Sequence, residues 1–385
     1  MQTNERTVVG GGIAGLIAAI ALAQKGDRVT LYEQSRTLGG RAGTERREAF
    51  ALNLGPHALY CNGVLANTLR DWGVPFSGKP ANFGDRACLV RGSEKFRMPI
   101  DTKTLVLTGA LSLTEKTEAG LLLNKIGSAK EPVDEAMRLS AWLDQHVRSP
   151  QVRQMLEAFF RLGTYANDPE HTSARLALAQ FRLGATGVLY LDGGWETMID
   201  ALAQKARSLG VQIETGRVVE RGEPGMLLAV PPAQVEHLTG VRLPEFRPVR
   251  AACLDIALNA LPRDAALFAI GLDRPLYFSV HSAIASLAPA GRFLVHVARY
   301  LAPSEQAARE ELEDFADLLI PGWKTATVFT RYLPNMTVSH ALPTPHGRPR
   351  EDAIDGYAIA GDWVGNGGML ADAATASALK AAQAL

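Results

Sequence analysis

Cysteine is scarce in this chain: three in 385 residues, Cys61, Cys88 and Cys253, with no CxxC pair and no Cys/His cluster. Neither a disulfide framework nor a zinc site is indicated, no metal is expected, and the usage fits a reducing, cytoplasmic compartment. Net charge is missing too, with 40 basic against 40 acidic side chains. No long-range field then favours nucleic acid or an anionic bilayer, so nucleic acid is not expected as a partner and membrane contact is expected to be peripheral at most. Lysine is the rare cation, ten of the 40 basic residues, a balance that suits a GC-rich bacterial genome more than any function. No stretch approaches the roughly 20 continuous apolar residues of a membrane span. Internal repeats, low-complexity tracts, HExxH, a P-loop and a Ser-His-Asp motif are also lacking.

What is present is an ordinary globular composition, 47% hydrophobic and 21% charged. At 385 residues it allows two or three domains and a large core. Arg6 and the apolar stretch 8–23, ending Ala21-Leu22-Ala23, imitate a secretory signal. Gly10, Gly11 and Gly12 argue against that reading, because they would weaken an apolar signal helix and are what a phosphate-binding turn needs.

Residues 7–33 read as strand, glycine turn, helix, strand. The turn is Gly10-Gly11-Gly12-Ile13-Ala14-Gly15. Gly10 permits the turn, Gly12 lets backbone approach a pyrophosphate at the helix N-terminus beside Ile13 and Ala14, and Gly15 allows close packing. Glu33, followed by Gln34, ends the second strand, placed to accept hydrogen bonds from an adenosine ribose and to disfavour a 2′-phosphate. Gly39-Gly40-Arg41 then supplies a second clamp on an extended dinucleotide.

The run from Val8 to Thr44 resembles the N-terminus of the flavin-containing amine oxidase and phytoene desaturase superfamily. The stretch Phe50-Ala51-Leu52-Asn53-Leu54-Gly55-Pro56-His57 is similar to the family's segment beside the flavin, with Asn53 in place of the usual aspartate. Near the other end, Tyr357 to Trp363 and Gly367 to Ala373 resemble its C-terminal FAD motif. The resemblance implies an α/β fold, a Rossmann-like FAD-binding domain from residues 1–75, 187–235 and 346–385, with an interleaved α+β substrate domain from 76–186 and 236–345. It implies non-covalent FAD contacted by Gly10, Gly12, Ile13, Ala14, Gly15, Glu33, Gln34, Gly39, Gly40, Arg41, Gly55, Pro56, His57, Val218, Val219, Gly361, Asp362, Gly368, Met369, Leu370 and Ala373. Asp362 is suited to ribityl hydroxyls, and the glycine-rich loop before Met369 to a helix N-terminus aimed at the flavin.

In the substrate blocks, periodicity predicts helices over 114–125, 133–146, 152–162, 173–183 and 304–318, and strands over 251–258, 276–280, 292–300 and 325–332. Block one reads as mostly helical. With FAD as the reactive group the protein supplies position, dryness and electrostatics. The expected reaction is oxidation of a small or medium apolar substrate, an amine or an alkyl or isoprenoid C–H, by hydride transfer to flavin N5, with oxygen or another acceptor taking the electrons. A carotenoid-type desaturase or isomerase, or FAD binding without net turnover, is the alternative. Candidate catalytic side chains are His57, Tyr332 and Lys324, the last by its similarity to the flavin-facing lysine of some amine oxidases. Arg331, Asn335, Met336, Tyr277, Phe278 and His281 are further candidates for the cavity wall.

Overall fold

A computed structural model describes residues 4–128 and 132–385. Its first sheet has five parallel strands in the order Gln212–Thr215, Arg28–Glu33, Glu5–Val9, Leu227–Leu228, Ala358–Ile359. Register places Val8 between Leu31 and Leu227, and Leu227 beside Ala358. Its central strands bury their apolar residues, Val8-Val9, Val29, Leu31 and Leu227-Leu228, between covering layers, while the edge strand Gln212–Thr215 stays largely exposed. Helix Ile13–Gln24 starts at Gly12 and stops before Gly26, whose φ of +94° is the left-handed conformation that glycine adopts without penalty. Seven consecutive residues from Ala14 to Ile20 are buried, because the sheet lies on one side and helices Glu196–Ser208 and Leu370–Ala384 on the others. An all-apolar helix has no other stable place in water.

The second sheet has seven strands, in the order Thr327–Ser339, Val249–Leu258, Phe293–Leu301, Leu276–Ser279, Phe268–Gly271, Ala87–Arg91, Glu94–Arg97. Its faces are divided by strand alternation. Cys253, Tyr277, Ala298 and Tyr300 face helices Leu113–Ser128, Leu139–His146, Pro150–Thr164 and Ala174–Ala185. Leu254, Ile256, Phe278 and Val297 face helix Arg309–Leu319 through Leu312, Phe315 and Leu319. Each such side chain, fully buried, contributes on the order of 1.5–3 kcal/mol of transfer free energy.

Block one is mostly helical, as expected, and its hairpin Ala87–Arg97 adds two strands to the second sheet. Its strands are too short to show a period against the neighbouring helices. Residues 133–138 lie outside the helix, which begins at Leu139. A third, small sheet joins Leu59–Tyr60, Val188–Leu191 and Gly78–Pro80 and ties the first sheet's loops to the second. Among the described residues no helix is long and apolar enough to cross a membrane.

Candidate active site

One cavity of about 1520 Å³ runs between the two sheets. Pockets for a single small ligand hold roughly 300–1,000 Å³, so this one has space for a dinucleotide and a further molecule. At one end it is lined by Gly10, Gly12, Ile13, Ala14, Glu33, Gln34, Gly39, Gly40, Arg41, Val218 and Val219.

The glycines divide their work. Gly10 has φ +105°, and a Cβ there would meet Ala229 O at 2.4 Å. A Cβ on Gly15 would lie 1.8 Å from Gly10 O, so Gly15 holds the helix against its own entry turn and does not line the cavity. Gly12 differs from both, because its Cβ position is free up to Gly39 O at 3.8 Å. Helix Ile13–Gln24 has no side-chain cap and no acidic residue in its first turn, so its first N–H groups remain available to an anion, favoured there by the helix dipole. Glu33 accepts hydrogen bonds from Gly11 N at 2.6 Å and Ser35 N at 2.7 Å. A carboxylate has about four lone-pair sites, so acceptor capacity is left for ribose hydroxyls. The donor set and the open cradle fit FAD.

Arg41 and Asp362 meet further along. Arg41 donates to both carboxylate oxygens, at 2.8 and 2.9 Å, and to Val338 O at 2.7 Å. His340 adds its backbone N–H at 3.1 Å and Nδ1 at 3.2 Å. The guanidinium and the imidazole hold the buried Asp362 carboxyl well below the usual carboxylate range, against the effect of burial. The expectation that Asp362 accepts ribityl hydroxyls is corrected by this geometry, since four hydrogen bonds occupy its oxygens. Asp362 instead fixes Arg41, whose side chain stays 39% exposed toward the cavity.

Pro56 and His57 line the middle of the cavity. His57 Nδ1 donates to Gly55 O at 3.0 Å, and its ring meets Trp195 edge-on at 4.8 Å. Burial pushes the imidazole below its ordinary pKa and keeps it neutral. Asn53 is buried and accepts from Thr44 Oγ1 at 2.8 Å and from Trp195 N at 3.0 Å, so it ties the hairpin Thr44–Asn53 to the loop Gly193-Gly194-Trp195. Gly361 and Leu370 line the wall, whereas Gly55 packs under Met336, Met369 and Ala373 are buried behind the surface, and the half-buried Gly368 does not line the cavity. Asp372, beside them, lines the cavity and accepts from Leu65 N at 2.8 Å, and burial pushes its pKa up to about 6.

The remaining half of the cavity is mostly apolar, walled by Leu105, Leu123, Phe159, Leu162, Phe181 and Leu333, with Asp101, Asn124, Gln180 and Arg182 among its polar residues. Tyr60, Tyr165, Tyr190 and Trp195 also face it and carry no sequence signal, because an aromatic at a strand or helix end obeys no spacing rule. Tyr277 and Met336 are wall residues as expected from their position, while Phe278 points to the opposite core.

Two catalytic candidates lie elsewhere. Tyr332 falls between Arg331 and Leu333, and neighbouring side chains in a strand point to opposite faces. Its hydroxyl therefore donates to Ala307 O, away from the cavity, at 2.7 Å. Lys324 sits in the surface turn Trp323–Ala326, paired with Asp317 at 2.8 Å. Both Tyr332→Phe and Lys324→Met are expected to leave flavin affinity within a factor of two of wild type, measured by fluorescence titration of the apoprotein. A tenfold loss in either would return that residue to the site.

Residues 13–221 match the flavin-containing amine oxidoreductase family. A 4,4′-diaponeurosporene oxygenase of Staphylococcus aureus is 25% identical over 307 residues, covering 71% of this chain and 59% of that protein. The chain thus spans under two thirds of the length of that curated relative. An oxidoreductase from Methanosarcina mazei superposes with a TM-score of 0.78 at 17% identity, over 98% of this chain and 100% of that one. Putrescine oxidase bound to putrescine superposes at 0.70 with 15% identity, over 100% and 99%. These structural likenesses establish the fold. With more than half the chain matched by the family and a dinucleotide cradle at the expected end of the cavity, this chain belongs to the flavin-containing amine oxidoreductases, a family of FAD-dependent oxidoreductases.

Proposed function

We propose that the protein dehydrogenates an apolar chain of isoprenoid type, with a non-covalent FAD held by Gly12, Glu33 and Arg41 and electrons passing on to oxygen or another acceptor. Bound FAD supplies the two-electron acceptor. The observation that carries this reading is the single cavity, a dinucleotide cradle at one end and aliphatic and aromatic walls at the other. A small amine would leave much of that volume unfilled, and the flavin-facing lysine expected of an amine oxidase is on the surface. Anaerobic bleaching of the flavin spectrum tests it. A detergent-dispersed linear polyene is expected to bleach the flavin, and primary amines are not. Bleaching by amines alone would move the reading to amine oxidation, and bleaching by neither would support FAD binding without turnover.

The surface supports an apolar substrate as well. Ile100, Val106, Leu107, Leu113 and Leu121 are each more than half exposed, Leu113 by 80%. They sit on or beside helices Thr102–Leu107 and Leu113–Ser128, whose Thr102, Leu105, Gly120, Leu123 and Asn124 line the cavity. Exposed apolar clusters of this kind mark a contact surface, and at a cavity mouth a lipid surface admits apolar molecules where a protein partner would close it. The pair Leu113→Glu and Leu121→Glu is expected to lower the fraction sedimenting with phosphatidylcholine/phosphatidylglycerol vesicles at least fivefold. Unchanged sedimentation would remove the membrane from this account.

A further inference from the structure

We infer that the Tyr277 hydroxyl takes up the substrate proton, and that His281 relays a proton inward to His296, whose cation the Asp255 carboxylate holds. The inference rests on the dehydrogenation reading above, since breaking a C–H bond with loss of its electron pair releases a second hydrogen as a proton, which needs an acceptor.

Tyr277 lines the cavity from strand Leu276–Ser279, and its hydroxyl lies 3.1 Å from His281 Nε2. His281 is 1% exposed, stacked on Tyr190 with centroids 3.8 Å apart. Its ring meets that of His296 at 4.6 Å and 71°. His281 Nδ1 and His296 Nε2 are buried and make no hydrogen bond to any protein group. Buried polar atoms are rarely left so, and here the orphans are one nitrogen from each of two touching imidazoles. His296 Nδ1 lies 2.6 Å from Asp255 Oδ1, directly across the strand pair, and Arg331 Nε donates to Asp255 Oδ2 at 2.8 Å from the other side. Arg331 continues to Glu45 at the surface, 2.8 Å away. Cys253 Sγ donates to Asp255 Oδ1 at 3.3 Å.

The donors and acceptors follow from chemistry. A carboxylate only accepts, so His296 carries its proton on Nδ1 and Nε2 is its basic nitrogen. Burial keeps His281 neutral, and burial keeps the Tyr277 phenol protonated. Tyr277 therefore donates to His281 Nε2, which puts the His281 proton on Nδ1, on the side of the unpaired nitrogens. The transfer balances. The substrate X–H bond breaks and an O–H bond forms on Tyr277, while the original Tyr277 proton passes to His281 Nε2. The His281 Nδ1 proton passes to His296 Nε2, leaving an imidazolium beside Asp255. No electron pair moves between residues. Asp255 favours that cation and Arg331 opposes it, while His57 and Tyr190, whose hydroxyl is 3.4 Å from that of Tyr277, are neutral.

Nitrogen-15 NMR of the histidine-labelled, FAD-loaded protein tests the relay without turnover. The expected result is a neutral His281 protonated at Nδ1 from pH 6 to 9, with His281 Nε2 shifting when Tyr277→Phe removes its partner. Protonation of His281 at Nε2, or on both nitrogens, would overturn the relay. In anaerobic flavin bleaching, Tyr277→Phe is expected to slow the reaction roughly 100-fold at unchanged flavin affinity, and His281→Asn to slow it and flatten its pH profile. Wild-type rates in both variants would also overturn it. If no probe bleaches the wild type, the dehydrogenation reading fails, and the tautomer measurement still decides the relay.

Discussion

Alanine at position 12 is expected to weaken FAD binding roughly 100-fold while leaving the apoprotein as stable as wild type. The Cβ of Gly12 points into free space, its nearest neighbour being Gly39 O at 3.8 Å, and its backbone is extended with φ −78°. The fold accepts the methyl group, and the smaller entropy of the unfolded chain can even add about 0.4–1 kcal/mol. The same methyl occupies the approach to the helix N-terminus, so a phosphate group is displaced from N–H donors. Hydrogen bonds to a charged group contribute about 1.5–3 kcal/mol each, and losing one or two corresponds to the stated factor. Gly15→Ala is the control with the opposite pattern. A Cβ there would be 1.8 Å from backbone at Gly10, so it is expected to destabilise the whole turn and lower the thermal midpoint. Flavin titration and thermal melts of the two apoproteins separate the effects. Equal affinity of Gly12→Ala and wild type would move the pyrophosphate off this helix.

Arg41→Gln is expected to cost about 3–5 kcal/mol of folding stability, because it leaves the Asp362 carboxylate, 2% exposed, without its paired guanidinium, held by His340 and by the more distant charge of the buried Arg348. The effect has a pH signature. The Asp362 carboxyl is held below its ordinary value in the fold, so the pair's contribution is present above the unfolded-chain pKa near 3.9 and is lost as pH falls through the depressed folded value. Wild type should therefore keep its advantage over Arg41→Gln from pH 6 down to about 4 and begin to lose it as the pH is lowered from there toward 2, with the two urea midpoints drawing together. A constant gap across that range would show that Asp362 does not supply the effect.

The cradle was legible because its chemistry is local. Gly10, Gly12 and Glu33 act within one strand-turn-helix-strand unit, and spacing alone carries their geometry. Arg41 and Asp362 were both identifiable, but their partnership was not, since nothing in a sequence shows that a carboxylate's oxygens are already filled by residues 321 positions away. Tyr332 failed for a related reason. A run of strand residues gives alternation but not its phase, and the phase was set by Arg331 turning inward to Asp255. The hairpin Ala87–Arg97 escaped because its membership in the second sheet depends on pairing with Phe268–Gly271, far along the chain. Tyr277 and His281 could be proposed as wall residues, whereas the line from them to Asp255 exists only across three adjacent strands.

The first sheet takes its outermost strand, Ala358–Ile359, and one of its covering helices, Leu370–Ala384, from the last residues of the chain. On the ribosome, the glycine turn and Glu33 emerge early, and more than 300 residues are added before Asp362 arrives to clamp Arg41. The cofactor pocket therefore cannot close around a growing chain. The cradle is complete only once residues 358–384 have joined it.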